Sequence, residues 1–173
     1  MQPAQVDSGN VGQLYSAEQK RRRDASRWTL VQGILAPLQF VACLISIGLV
    51  WRYLATGTGG DAATISVVVK TLFLYAIMIT GSLWERDVFG RYLFARQFFW
   101  EDVVSMLVMA LHTAYLLCLL FGLLPLAEQL YLALAAYAAY AINAAQFLWK
   151  FRLAKRQPDI IDAKRAGAPG LAQ

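Results

Sequence analysis

Residues 28–51 read WTLVQGILAPLQFVACLISIGLVW, 24 positions without a charge. At about 1.5 Å per residue, a helix of that length crosses a bilayer core of roughly 30 Å. The whole chain agrees: 58% of its 173 residues are hydrophobic and its mean hydropathy is +0.46, values unsuited to a soluble domain of this size. Three further apolar segments follow, Ala62 to Trp84 broken only by Lys70, Val103 to Leu124, and Leu126 to Trp149 with Glu128 near its outer end. The expectation is an all-α integral membrane protein, a four-transmembrane-helix bundle with spans at about 28–54, 62–85, 101–123 and 126–151. Residues 28–152 form that membrane domain, 1–27 a cytoplasmic N-terminal segment and 153–173 a loose cytoplasmic tail. Within the first segment, Ser16 and Gln19 have the spacing of a capping box that opens a short basic helix.

The basic residues set the expected orientation. Lys20, Arg21, Arg22, Arg23 and Arg27 precede the first span, Arg86, Arg91 and Arg96 lie in the second loop, and six more follow from Lys150 onward. The other side has only Arg52 near its boundary, so both termini are expected in the cytoplasm, N-in and C-in. The formal charge of +5 meets the anionic inner leaflet and implies no nucleic acid. The first span is too long for a signal-peptide core and lacks a small-residue cleavage pattern, so it is expected to stay in the mature protein. Cys43 and Cys118 lack metal-ligand spacing and read as packing residues.

Polar positions recur on one side of each helix at 100° per residue. The stripes are Gln32, Gln39, Cys43 and Ser46 on the first span; Lys70, Ile77, Gly81 and Glu85 on the second; Glu101, Ser105, Val108, His112 and Leu119, with Tyr115 beside them, on the third; and Asn143, Gln146 and Lys150 on the fourth. Lipid cannot satisfy such side chains, so the stripes are expected to face a shared interior or cleft. Several have a purely structural reading as well. Glu101 and Asp102 suit the positive end of the third helix, whereas Glu85 and Asp87 at the end of the second need partners, for which Arg86, Arg91 and Arg96 are candidates. Lys70 has a stem long enough to snorkel to water. His112, the chain's single histidine, is too short for that and must bond a neighbour or serve a ligand. Phe94, Phe98, Phe99 and Trp100 form an interfacial belt or one wall of a site for a flat ligand.

A set of longer blocks carries a family resemblance. They are residues 23–33, Arg23-Asp24-Ala25-Ser26-Arg27-Trp28-Thr29-Leu30-Val31-Gln32-Gly33, then Ala36-Pro37-Leu38-Gln39-Phe40, Val67-Val68-Val69-Lys70-Thr71 and Gly81-Ser82-Leu83-Trp84-Glu85. Further on come Phe99-Trp100-Glu101-Asp102, Ala110-Leu111-His112-Thr113-Ala114-Tyr115 and Gln146-Phe147-Leu148-Trp149-Lys150. In content, order and spacing they resemble the 3-vinyl (2-vinyl) bacteriochlorophyllide hydratases. The resemblance implies a hydro-lyase run toward addition, water adding across the C3 vinyl group of a chlorophyllide to give the 1-hydroxyethyl side chain. It implies a chlorophyllide-type tetrapyrrole as substrate, surrounding membrane lipid and no separate cofactor or protein-held metal. The setting it implies is the bacterial inner membrane, cytoplasmic or intracytoplasmic and photosynthetic. So small a bundle leaves room for a homo-oligomer or for contact with other pigment-synthesis enzymes.

Such an addition starts by protonating the terminal vinyl carbon, which leaves a cation that the macrocycle delocalises and water then attacks. The residues best suited to it are Glu101 as acid, with Glu85 or Asp102 placing the water. Trp84, Trp100, Tyr115, Gln32, Gln39, Lys70, Asn143, Gln146 and His112 are the candidate substrate-binding residues. His112 lies about 16 Å along the helix from Glu101, so it is expected to touch another part of the pigment, its central magnesium or a ring substituent. The alternative is a membrane protein that binds or assembles tetrapyrrole without chemistry; a haem electron carrier ranks lower, because one histidine cannot give bis-histidine ligation in one chain.

Overall fold

In a computed structural model of the protein, which describes residues 15–166, the chain is all helix and turn among the described residues. Five helices follow in order: α1 Ala17–Ala25, α2 Arg27–Thr56, α3 Gly60–Phe89, α4 Phe99–Phe121 and α5 Leu126–Ala166. Four of them, α2, α3, α4 and α5 over Leu126–Arg152, are long and apolar enough to cross a membrane. The expected polar segment 1–14 and the end of the expected tail, 167–173, lie outside the described residues.

Two boundaries differ from the sequence expectation. Arg86, expected in the second loop, lies within α3 instead. The helix continues to Phe89 and stops at Gly90, whose φ of 76° caps it in the left-handed conformation that glycine adopts without strain. At the other end, α5 runs on to Ala166, where a loose tail was expected from residue 153. The Ser16 and Gln19 capping box is present at the start of α1, each side chain taking the other's backbone N–H.

The helices pair as two antiparallel hairpins, α2 with α3 and α4 with α5, while α1 lies against α3. Within the first hairpin, Gln32 on α2 donates to Thr80 Oγ1 (2.6 Å) and to the Ile77 carbonyl (3.2 Å) on α3. Contact between the hairpins is sparser, and polar bonds stitch it. Ser46 Oγ meets Tyr137 Oη at 2.6 Å, Lys70 Nζ meets His112 Nε2 at 2.8 Å, and Tyr75 Oη meets Thr113 Oγ1 at 2.7 Å. Around the first of these pack Cys43, Val50, Val67, Tyr115, Leu130 and Ala133. A second cluster, Trp84, Val88 and Phe98, closes the other end of the bundle. The opposite faces of the helices expose Leu30, Ile34, Ile65 and Leu120, the side chains that acyl chains solvate.

If the Ser46 to Tyr137 bond holds the hairpins together, Tyr137→Phe and Ser46→Ala each lower stability by about 0.5–2 kcal/mol. Thermal unfolding in detergent checks this, and the double variant is expected to cost less than the sum of the two. Full additivity would mean that the bond contributes nothing.

Candidate active site

Polar side chains gather at two levels of the bundle. One is the end where α3 finishes and α4 begins. Glu85 from α3 and Asp102 from α4 are both buried, and their carboxyl groups lie against each other. Each accepts a backbone N–H from the connecting loop, Ala95 to Glu85 Oε2 at 3.2 Å and Phe94 to Asp102 Oδ2 at 2.7 Å. Phe94 sits at φ 59°, and among the described residues it is the one non-glycine with positive φ. A bulky residue in that region is strained, and two carboxyls on successive amides are what hold it there. The expected arginine partners do not take part: Arg86, Arg91 and Arg96 are exposed, and among the described residues none pairs with Glu85 or Asp87. Asp87 instead accepts from Ser26 Oγ at 2.8 Å.

Glu101, one residue earlier on α4, faces differently. Its Oε2 lies 2.6 Å from Lys150 Nζ on α5, and Lys150 also donates to the Gln97 carbonyl and stands 5.0 Å from the Phe98 ring centroid. The Glu101 backbone carbonyl accepts from Asn143 Nδ2 (2.9 Å) and Ser105 Oγ (2.8 Å), which fastens α5 to the first turn of α4. Beside the ion pair runs a groove of about 460 Å³, lined by Glu101, Lys150, Gln146, Trp149, Ala145 and Ile142. Gln146 Oε1 is buried there without a partner. Of the three candidate carboxylates, Glu101 alone lines this groove.

The second level is near mid-membrane. Lys70, about 15 Å along α3 from its start at Gly60, is wholly buried together with His112. The snorkelling expected of Lys70 does not occur, because its amine turns inward to the imidazole. His112 Nδ1 lies 2.8 Å from the Val108 carbonyl. That ring nitrogen therefore carries the proton, and Nε2 accepts from Lys70. Both ring nitrogens are thus engaged, and His112 has none left for a magnesium ion in this arrangement. Tyr140 and Tyr137 cover the amine, with ring centroids 4.2 and 5.3 Å away.

The remaining candidates divide. Trp84 ties α3 to α2, its Nε1 donating to Thr29 Oγ1 at 3.0 Å. Gln32 is spent on the α2–α3 bonds already described. Gln39 and Tyr115 are buried, and neither the Gln39 amide nor the Tyr115 hydroxyl has a partner. Trp100, beside Glu101 in the first turn of α4, is 70% exposed and points to the outer surface. Sequence reasoning did not single out Tyr137 and Tyr140, although their i, i+3 spacing on α5 signals a shared face; nor did it join Lys150 to Glu101.

Comparison with known proteins covers the same part of the chain. The family model for 2-vinyl bacteriochlorophyllide hydratase matches residues 15–153. The chain belongs to that family. A 2-vinyl bacteriochlorophyllide hydratase of Cereibacter sphaeroides is 63% identical over 142 residues, covering 82% of this chain and 88% of the relative. One of Rhodobacter capsulatus is 60% identical over 150 residues, covering 87% of each. No solved structure matches the chain. Every candidate side chain of this hydratase family member lies within the matched region, the two polar levels included.

If Glu85 and Asp102 pin the loop, then Glu85→Ala or Asp102→Ala frees it, and trypsin is expected to cleave after Arg91 or Arg96 several-fold faster than in the unaltered protein. Equal cleavage rates would show that the loop is held by something else.

Proposed function

We propose that the protein hydrates the C3 vinyl group of a chlorophyllide-type tetrapyrrole, with Glu101 as the proton donor. The observation that carries this reading is the position of Glu101 on the groove, beside a cation and facing apolar side chains, while Glu85 and Asp102 are turned to the loop amides. A flat pigment dissolved in lipid reaches such a groove sideways, with Trp149 and Ile142 against its face and the vinyl group at the polar end.

The reaction needs a proton, a water molecule and no electrons. Glu101, handed a proton by its ion-pair partner Lys150, protonates the terminal vinyl carbon, which becomes a methyl group, and the positive charge left on the inner carbon spreads into the macrocycle. Water attacks that carbon, and its surplus proton returns to the carboxylate, so one water is consumed and the acid is regenerated. Glu85 from the end of α3, or Asp102 beside Glu101 on α4, places the water. The hydrocarbon surroundings exclude other nucleophiles and strengthen the electrostatic contacts inside.

Both termini lie on the cytoplasmic side in this reading, which brings the carboxylate level to the cytoplasmic face of the bacterial inner membrane. Water is at hand there, and the basic residues of α1 and of the loop meet anionic lipid. A reporter fused after residue 173 is therefore expected to be active in the cytoplasm and silent as a periplasmic fusion; the reverse pattern would invert the site.

Expressed in a host without the pathway and given vinyl chlorophyllide, the protein is expected to yield a product heavier by one water. Glu101→Gln is expected to lower kcat by about 10²–10⁴ with KM changed only a few-fold, in protein that inserts normally. Full activity in Glu101→Gln would remove Glu101 from the chemistry.

A further inference from the structure

The proposed chemistry leaves Lys70 and His112 without a task, yet both are wholly buried in the part of the bundle where a charge is most costly. Among the described residues no carboxylate pairs with Lys70; the ion pairs are Arg22 with Glu18, Arg23 with Asp24 and Lys150 with Glu101. An ammonium has three N–H donors, and His112 Nε2 takes one of them. The others meet the faces of Tyr140 and Tyr137, which attract a cation without accepting a directed hydrogen bond. At the antiparallel register of α2 and α3, set by Ser46 against Ser66 and Gln32 against Thr80, Gln39 falls close to the same level. Its amide oxygen and nitrogen are both buried and unpartnered. This level therefore holds spare donors between two hairpins that are only sparsely packed together.

Its distance from Glu101 fits the proposed substrate. Glu101 and His112 share one face of α4 and stand eleven residues apart, about 16 Å along the helix. A chlorophyllide carries its vinyl group on the first pyrrole ring and, diagonally opposite, a ketone on the fifth ring fused to the third. From vinyl carbon to ketone oxygen, with a hydrogen-bond length added at each end, the molecule spans a similar distance. On the reading that the vinyl group sits at Glu101, we infer that Lys70, held by His112, donates a hydrogen bond to the fifth-ring ketone and so fixes the long axis of the pigment along the α4 stripe. His112 is the positioning residue: by accepting one N–H of Lys70 it turns the remaining donors toward the seam between the hairpins. To reach this contact from the groove, the pigment opens the α4–α5 seam beside Asn143, and the Tyr140 ring, partly buried on α5, moves off the amine. The same contact makes the site selective for pigments that bear the ketone.

The test uses 3-ethyl chlorophyllide, which has no vinyl group to hydrate, and its counterpart with the ketone reduced to a methylene. The full-length protein in detergent is expected to bind the ketone pigment about tenfold or more tightly than the methylene pigment. The ketone stretching frequency in the resonance Raman spectrum is expected to fall on binding. Lys70→Met abolishes both the preference and the frequency shift, and Lys70→Gln, which keeps an N–H donor, retains part of each. Equal binding of the two pigments by the unaltered protein, or an unshifted ketone, would overturn the inference even if no variant folds. Hydration of vinyl chlorophyllide is scored separately. Turnover with an unshifted ketone sinks this contact and leaves the hydratase reading standing, and a shifted ketone without turnover does the opposite.

Discussion

A polar side chain in hydrocarbon must find its partner inside the protein, and the arrangement of this bundle depends on that constraint. Hydrophobic burial distinguishes poorly between one apolar helix face and another when lipid is the alternative. The relative placement of the two hairpins therefore falls to a few directed contacts. Lys70 with His112, Ser46 with Tyr137 and Tyr75 with Thr113 fix their register, and the Glu85 and Asp102 carboxyls fix the loop that joins them.

Two polar levels follow from this. At the edge, carboxyl groups stand where water, loop amides and the Lys150 ammonium can partner them. At mid-membrane the partners must be protein groups or a ligand, and Gln39 and Tyr115 are left with none. Separating the levels along one face of α4 lets one helix address both ends of a long flat molecule. On the proposed mechanism, acid chemistry stays at the wet end, where a proton and a water molecule can be replaced after each turnover.

Much of this was legible in the sequence because helix periodicity and membrane polarity act together. The α4 stripe of Glu101, Ser105, Val108 and His112 is buried along its length, with Tyr115, and on α2 Gln39, Cys43 and Ser46 are buried as a set. What could not be read was the choice of partner. Lys70 has a stem that reaches water or a neighbouring helix, and only the position of His112 on α4 decides between them. Glu85 and Asp87 lie near three arginines in sequence, but the strained backbone at Phe94 presents two amides to the carboxyls from a better direction. Lys150 reads as one more basic residue after a span until the α4–α5 packing brings it to Glu101. Family membership supports the reaction, and the residues that carry it out rest on the geometry of the groove.

The central claim is that the α4 stripe is the track of the substrate, with the vinyl-bearing ring at the carboxylate level. A cryo-electron microscopy structure of the protein with 3-ethyl chlorophyllide tests it most directly. The account predicts the ethyl group within contact of the Glu101 carboxyl and the long axis of the macrocycle running toward Lys70. A pigment bound with its ethyl-bearing ring at mid-membrane, or on a face of the bundle that Glu101 does not reach, would contradict it.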